Sequence, residues 1–215
     1  MSGVRSVFLM QSSPSQVVVR ADSNIRSMAD LKGKRVAMGG RGSAALIRAY
    51  WVMEAAGINK GDFEEQAIGY DEGAKALTDR RIDGMVVLFS VPSPVMLSLQ
   101  ATTDLRFLEL TEAQGKALSG KYPMMAAEEI PANSYKGQTK PLIGYGIPGT
   151  FVVQAKVSDE HVYRGCLAIA KAIKGELLQV HKDFGQWKAS KEIERVSGLK
   201  LHDGARRCYK ELGVL

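Results

Sequence analysis

The chain has 215 residues, 45% of them hydrophobic and 24% charged, with a formal net charge of +6 at pH 7. That length and apolar share are enough to bury a substantial core, and the ordinary charged fraction excludes a disordered chain. The positive balance suits nucleic acid, an anionic membrane surface or an acidic small ligand. The basic residues, however, lie in short clusters with acids close by (Arg80-Arg81, Arg206-Arg207, Lys32/Lys34/Arg35), without the aromatic-interleaved stripe of a nucleic-acid binder.

At the N-terminus the apolar run Val7 to Met10 is far shorter than the roughly 7–15 residues of a secretory h-region. No stretch approaches the ~20 apolar residues of a transmembrane helix, so the chain as written carries no export address. Val17, Val18 and Val19 are a β-branched run before the polar "RADSNIRS" and predict a strand and a turn. "KRVAMGG" is the next strand, and Ser43 is placed to cap the helix after it. Leu46, Tyr50 and Met53, with Ile47 and Trp51 alongside, mark that helix's inner face, and Gly57 its left-handed stop.

Asp71 is the expected cap of a second helix carrying Ala74 and Leu77. "IDGMVVLFS" is a continuous apolar run, as in strands buried on both faces. Ser93-Pro94 gives a cap and a proline at the first helical position, and "VMLSLQA" continues the helix. "DLRFLEL" is a strand, and Thr111 caps the helix after it. Strand alternating with helix predicts βαβ units on a mostly parallel sheet.

Beyond about Gly120 the sequence turns rich in Gly and Pro, with Tyr122, Tyr135 and Tyr145, and reads as loops and extended segments before the strand "GTFVVQAK". Ser158 or Asp159 opens a long helix with Val162, Cys166, Ile169 and Ile173 inward; Asp203 caps a last one with Ala205, Cys208, Tyr209 and Leu212 inward. The two cysteines, Cys166 and Cys208, sit at these apolar positions, outside any zinc-binding spacing. They read as small buried residues, and the sequence neither requires nor excludes a bond between them.

Chemistry concentrates in two turns. In "GGRGSA" (Gly39–Ala44) glycines let the backbone approach a ligand, a helix start offers unpaired N–H groups, and Arg41 adds charge. The combination suits a carboxylate or phosphate, although any strand-to-helix turn favours Gly and Ser. It is not a Walker A loop, which ends in Gly-Lys-Ser/Thr, and Leu46 stands near where GxGxxG needs its last glycine, so a nucleotide is a poor fit. "FSVPSP" (Phe89–Pro94) leaves the buried strand at the same carboxyl edge, where ligands of open α/β sheets gather; a proline-stiffened loop is the plainer reading.

No catalytic arrangement is visible. His161, His181 and His202 lie late in the chain, away from both turns, and no GxSxG elbow occurs. The adjacent pairs Asp71-Glu72 and Glu128-Glu129 read as solvated, and His202-Asp203-Gly204 as a helix-entry turn rather than a proton relay. No cofactor or metal is expected.

The stretches "LKGKRVAMGGRGSAA", "IDGMVVLFSVPSPVMLSLQATTDLRFLEL", "IPANSYKGQ", "HVYRGCLAIAKAI" and "LHDGARRCYKELG", in this order, resemble TAXI-type solute-binding proteins, the extracytoplasmic receptors of TRAP transporters. The resemblance runs from about Val17 to the C-terminus. It implies a periplasmic-binding-protein type II-like α/β fold whose two lobes close over a small organic acid such as glutamate, glutamine or a related carboxylate. The loaded receptor then docks on TRAP membrane subunits, in the periplasm.

Residue by residue, Gly42, Ser43 and Ala44 match the family's ligand-facing turn, with Arg41 a local addition favouring an anion. Ser90 and Pro92 match the loop beside it, where this chain has Ser90-Val91 in place of the family's frequent glycine and histidine. The resemblance divides the chain into the end of a first lobe and its crossover (1–30), a complete lobe with the ligand turn (31–135), and a return segment with the C-terminal helices (136–215). One lobe is thus whole and the other incomplete, joined by crossover strands. An incomplete lobe exposes apolar surface, so a homo-oligomer is expected. A small transferase-like α/β enzyme, a ligand-sensing domain parted from its DNA-binding part, and a truncated remnant that binds nothing are the competing readings.

Overall fold

The computed structural model describes residues 3–180 and 182–215; His181, one of the sequence's three histidines, lies outside the described residues. In chain order, β1 (Val4–Leu9) and β2 (Ser15–Arg20) lead through a 3-10 turn at Met28–Leu31 to β3 (Arg35–Ala37) and α1 (Ala44–Ala55). Then come β4 (Glu64–Gln66), α2 (Tyr70–Thr78), β5 (Gly84–Leu88), α3 (Pro94–Leu99), β6 (Leu105–Leu108) and α4 (Glu112–Lys121). The hairpin β7 (Ala126–Ile130) and β8 (Leu142–Gly146) precedes β9 (Thr150–Gln154), α5 (Asp159–Ala172), α6 (Glu176–Val180), α7 (Ile193–Ser197) and α8 (Asp203–Glu211). Among the described residues no helix is long and apolar enough to cross a membrane.

The chain divides into two compact units, the larger Ser13–Gly146 and the smaller running up to Ser12 and again from Ile147 to Leu215. The larger is built on a five-stranded sheet in the order β4-β3-β5-β2-β6. β3 pairs parallel with β4 and β5, while β2 lies antiparallel between β5 and β6. The mostly parallel sheet expected from the sequence is therefore interrupted at β2, which arrives from outside the βαβ run. Val18, Val87, Met85, Leu77, Met96 and Ile130 are among its core residues, and all of β5 is buried, as its unbroken apolar run implies.

Thr111 and Ser158 cap the helices the sequence assigns them, Thr111 in a reciprocal capping box with Gln114; Ser93 stands at the start of α3, but its side chain makes no capping hydrogen bond and Pro94 alone marks the start. Other assignments shift. Gly69, not Asp71, precedes α2, and Asp71 falls in its first turn. α1 buries Ala49, Val52 and Met53 in place of the Leu46/Tyr50 face, leaving Ile47 53% exposed. The cause is a second packing partner: Trp51 stacks on Tyr122 at the end of α4, with ring centroids 4.3 Å apart. Gly57, at φ +76°, ends the helix as expected.

In the smaller unit β1 pairs antiparallel with β9, and its other edge is held by Lys188, Lys200 and His202 backbone. Val7, Phe8 and Leu9 are core residues of this strand. Cys166 of α5 and Cys208 of α8, both fully buried, form a disulfide, settling what the sequence left open. His202, rather than Asp203, caps α8, its Nδ1 accepting from the Gly204 amide at 3.2 Å. Leu212 is 37% exposed instead of inward, because α8 ends before it.

Candidate ligand-binding site

β3, β4 and β5 run parallel and in register, Val36 opposite both Glu65 and Gly84. The chain therefore leaves all three at one sheet edge: residues 38–43 into α1, 67–69 into α2 and 89–93 into α3. Both turns singled out in the sequence stand at this carboxyl edge.

The first turn is shaped by two glycines. Gly39 holds φ +101° and Gly42 φ +73°, the left-handed region that side chains resist. At Gly39 space is short as well, since a Cβ would lie 3.2 Å from Ala45 Cβ and 3.3 Å from the Leu46 nitrogen. The Ser43 amide donates to the Gly40 carbonyl at 3.1 Å, closing the turn. Ser43 Oγ accepts from the Leu46 amide at 3.1 Å, so the cap is real and one of the helix's free donors is consumed by it. The hydroxyl hydrogen of Ser43 remains to donate. The Ala44 and Ala45 amides have no partner among the described residues, at the positive end of a 12-residue helix. Ala44 and Arg41 are exposed, and Arg41 enters no hydrogen bond or ion pair among the described residues.

The second turn is fastened from beneath. Gln16 Nε2 donates to the Phe89 carbonyl at 3.0 Å, and Gln16 Oε1 accepts from Tyr135 Oη. The Ser93 amide in turn donates to Tyr135 Oη at 2.7 Å. Burial pushes the Tyr135 phenol up to about 12, against the opposing pull of the Ser93 amide. Ser90 is buried at 7% exposure, Val91 and Pro92 are partly buried, and the bond between the last two is cis. The structure thus brings Gly42–Ala44 and Ser90–Pro92 to one edge.

Two residues at this edge escape sequence reasoning. Tyr70, at the start of α2, accepts from the Leu88 amide at 3.0 Å and donates to the Leu88 carbonyl at 3.3 Å, closing the end of β5. Its ring meets the half-exposed Phe89 edge-on at 6.4 Å. Arg48, one turn into α1, is partly buried; its Nε lies 3.4 Å from the Ala44 carbonyl, and no acid pairs with it among the described residues. The spacing 44 to 48 placed it behind the turn, but nothing in the sequence marks its burial or its lack of a partner.

Free N–H groups at the start of a helix are donors of the kind an anion accepts from, and the described histidines lie elsewhere. His161 is engaged with Ser158 Oγ at 2.7 Å and His202 is a buried cap, both in the smaller unit. Asp71 and Glu72 are exposed. Among the described residues no group of three or more His, Cys, Asp or Glu is placed to hold a metal ion.

Comparison with known proteins bears on what such an edge is for. The model of the NMT1-like family matches residues 1–213. Among solved structures, a periplasmic sulfonate-binding protein, SsuA, from Methylobacillus flagellatus superposes with a TM-score of 0.60 at 14% identity, over 99% of this chain and 70% of that one. A TctC solute-binding protein from Polaromonas gives a TM-score of 0.60 at 15% identity, over 100% of this chain and 70% of that one. The fold is accordingly the α/β fold of periplasmic binding proteins.

Proposed function

The chain belongs to the NMT1-like family, and from that premise we propose that it is a solute-receptor subunit which binds a small carboxylate, glutamate, glutamine or a related organic acid, without covalent chemistry. The observation that carries this reading is the pair of unpartnered amides, Ala44 and Ala45, at a glycine-shaped helix start on the carboxyl edge of the sheet. Arg41, Gly42, Ser43 and Ala44 hold the acid, and Ser90, Val91 and Pro92 supply the wall beside it. The ordered motifs from "LKGKRVAMGGRGSAA" to "LHDGARRCYKELG" support the TAXI class, with TRAP membrane subunits as partners and no nucleic acid or cofactor involved. The buried Cys166–Cys208 disulfide supports an oxidising, periplasmic location. Phe151 and Val152, 40% and 43% exposed on β9, support self-association, which light scattering showing only monomer at micromolar concentration would remove.

The test is a thermal-shift screen of the full chain against L-glutamate, L-glutamine, succinate and pyruvate, with ethanesulfonate to probe the chemistry named for the Methylobacillus protein. A ligand at a hundred times its Kd stabilises by about 2.7 kcal/mol, about 5–10 °C for a chain of this size. Ser43→Asp keeps a good helix cap but sets a negative charge where the anion sits, and is expected to abolish the shift while the unliganded melt stays in place. No shift with any carboxylate at millimolar concentration overturns the reading.

A further inference from the structure

We propose that Tyr135 is a positioning residue for the ligand: it anchors the turn that carries Ser90 and Pro92, and affinity for the acid depends on that anchor. This rests on the reading of residues 90–92 as a wall of the site.

The stretch "IPANSYKGQ", residues 130–138, holds none of the residues set against the acid, yet its fold is built around one side chain. It closes on itself. Asn133 adopts φ +62°, which asparagine tolerates better than most residues. The Asn133 amide donates to the Gln138 carbonyl at 2.8 Å, and the Gln138 amide to the Tyr135 carbonyl at 3.2 Å. Gln138, itself buried, spends its side-chain amide on the Pro131 and Lys140 carbonyls at 2.9 and 2.8 Å. Next along, the Lys136 amide donates to Gln100 Oε1 at 2.8 Å. Tyr135 is therefore presented from a frame fixed on both sides. Its ring stacks on Phe107 of β6, with centroids 5.2 Å apart.

The hydroxyl at the end of that ring meets the second turn. Among the described residues, two hydrogen bonds reach the backbone of residues 89–93 from outside the turn and its helix. Gln16 Nε2 donates to the Phe89 carbonyl at one end, and the Ser93 amide donates to Tyr135 Oη at the other. Tyr135 makes the second bond itself. By donating to Gln16 Oε1 it also orients the amide group that makes the first. Ser93 Oγ is buried with no partner among the described residues, so that side chain gives no further hold. One hydroxyl thus governs both ends of the turn.

Tyr135, Gln16 and Ser93 are all buried, where a hydrogen bond is strong and its loss leaves a donor unsatisfied. A wall that is already ordered costs the ligand nothing to arrange, whereas a loose one must be ordered on binding and weakens it. Tyr135 acts on the acid only through the turn.

Tyr135→Phe keeps the ring and its stack on Phe107 and removes the hydroxyl. Hydrogen exchange and calorimetric titration with L-glutamate, succinate and pyruvate compare it with wild type and with Tyr209→Phe. Tyr209 is the control, since its hydroxyl donates to the Val7 carbonyl at 3.1 Å inside the smaller unit. The amide to watch is that of Leu97, which donates to the Ser93 carbonyl at 3.0 Å. In Tyr135→Phe its exchange is expected to rise about two- to tenfold, the worth of one hydrogen bond, with the amides of α5 unaltered. Affinity for the acid that wild type binds is expected to fall by a similar factor at a temperature where every variant is folded, while Tyr209→Phe keeps wild-type affinity. Unaltered exchange at Leu97 overturns the anchor. Faster exchange with unaltered affinity overturns its link to the ligand, and so does an equal loss of affinity in Tyr209→Phe, which marks general stability as the cause. If wild type binds none of the acids, the ligand reading falls and the affinity claim falls with it, while exchange at Leu97 still decides the anchor.

Discussion

Gly39 and Gly42 share a left-handed backbone but not a neighbourhood, and that difference can be measured. At either position alanine meets the conformational cost of positive φ, about 1–2 kcal/mol. At Gly42 nothing lies within 4 Å of the added Cβ, so the cost ends there. At Gly39 the Cβ also presses on Ala45 and on the Leu46 nitrogen, which belong to the first turn of α1. Gly39→Ala is therefore expected to be the more destabilising in urea unfolding, and equal losses would contradict it. Single residues were also where the sequence was least complete. Ser43 was legible because a hydroxyl before a periodic apolar run has one obvious use. Arg48 was not, because an arginine on a helix is ordinary in a string of letters. Its partial burial, and the lack of a paired acid among the described residues, depend on three-dimensional neighbours that sequence alone does not show.

Elements were legible where a local rule was strong and unopposed. β5 declared itself by an unbroken apolar run, α3 by the proline at its first position, and α4 and α5 by their caps. β4 was missed because Glu64–Gln66 has no apolar residue; it is a strand only because β3 offers it a parallel edge. The face of α1 was misread for a related reason, since its packing on α4 drew Trp51 sideways onto Tyr122.

The loop between β5 and α3 owes its fixed shape to Tyr135, and this gives an element-scale test. The phenol is 4% exposed and pushed up to about 12 by burial, against an ordinary value near 10. A pKa raised by folding adds stability that is complete below about pH 10 and is lost as pH climbs through the folded value. Unfolding free energy measured in urea from pH 8 to 12 should fall across that interval. Tyr135→Phe should start about 1–2 kcal/mol lower at neutral pH, from the lost hydrogen bonds, and decline less steeply. Tyr209, buried in the smaller unit and likewise pushed up to about 12, keeps the decline from vanishing. An unaltered slope in Tyr135→Phe would refute the assignment.

At the scale of the whole molecule the two units have separate cores and different fastenings. The core of the smaller gathers β1, α5 and α8 around Phe8, Val162 and Tyr209, with the disulfide inside it. The core of the larger gathers around β5 and holds no disulfide among the described residues. A crosslink spanning 42 positions in sequence restricts the unfolded chain by about 4 kcal/mol in the loop-entropy account. That stabilisation belongs to the smaller unit, whereas the candidate carboxylate site and its ligand stabilisation belong to the larger. Calorimetry should therefore resolve two responses with opposite sensitivities. Dithiothreitol present through unfolding, or paired Cys166→Ala and Cys208→Ala, should lower the transition of the smaller unit. A bound acid should raise the transition of the larger unit while Ser43→Asp blocks that rise. Burial of both sulfurs at 0% exposure means that reductant acts only once the unit opens, so the effect should show in the unfolding transition and not as slow loss of folded protein at room temperature. A single transition that dithiothreitol and ligand move together would show one cooperative body in place of two, and would remove the assignment of each fastening to its own unit.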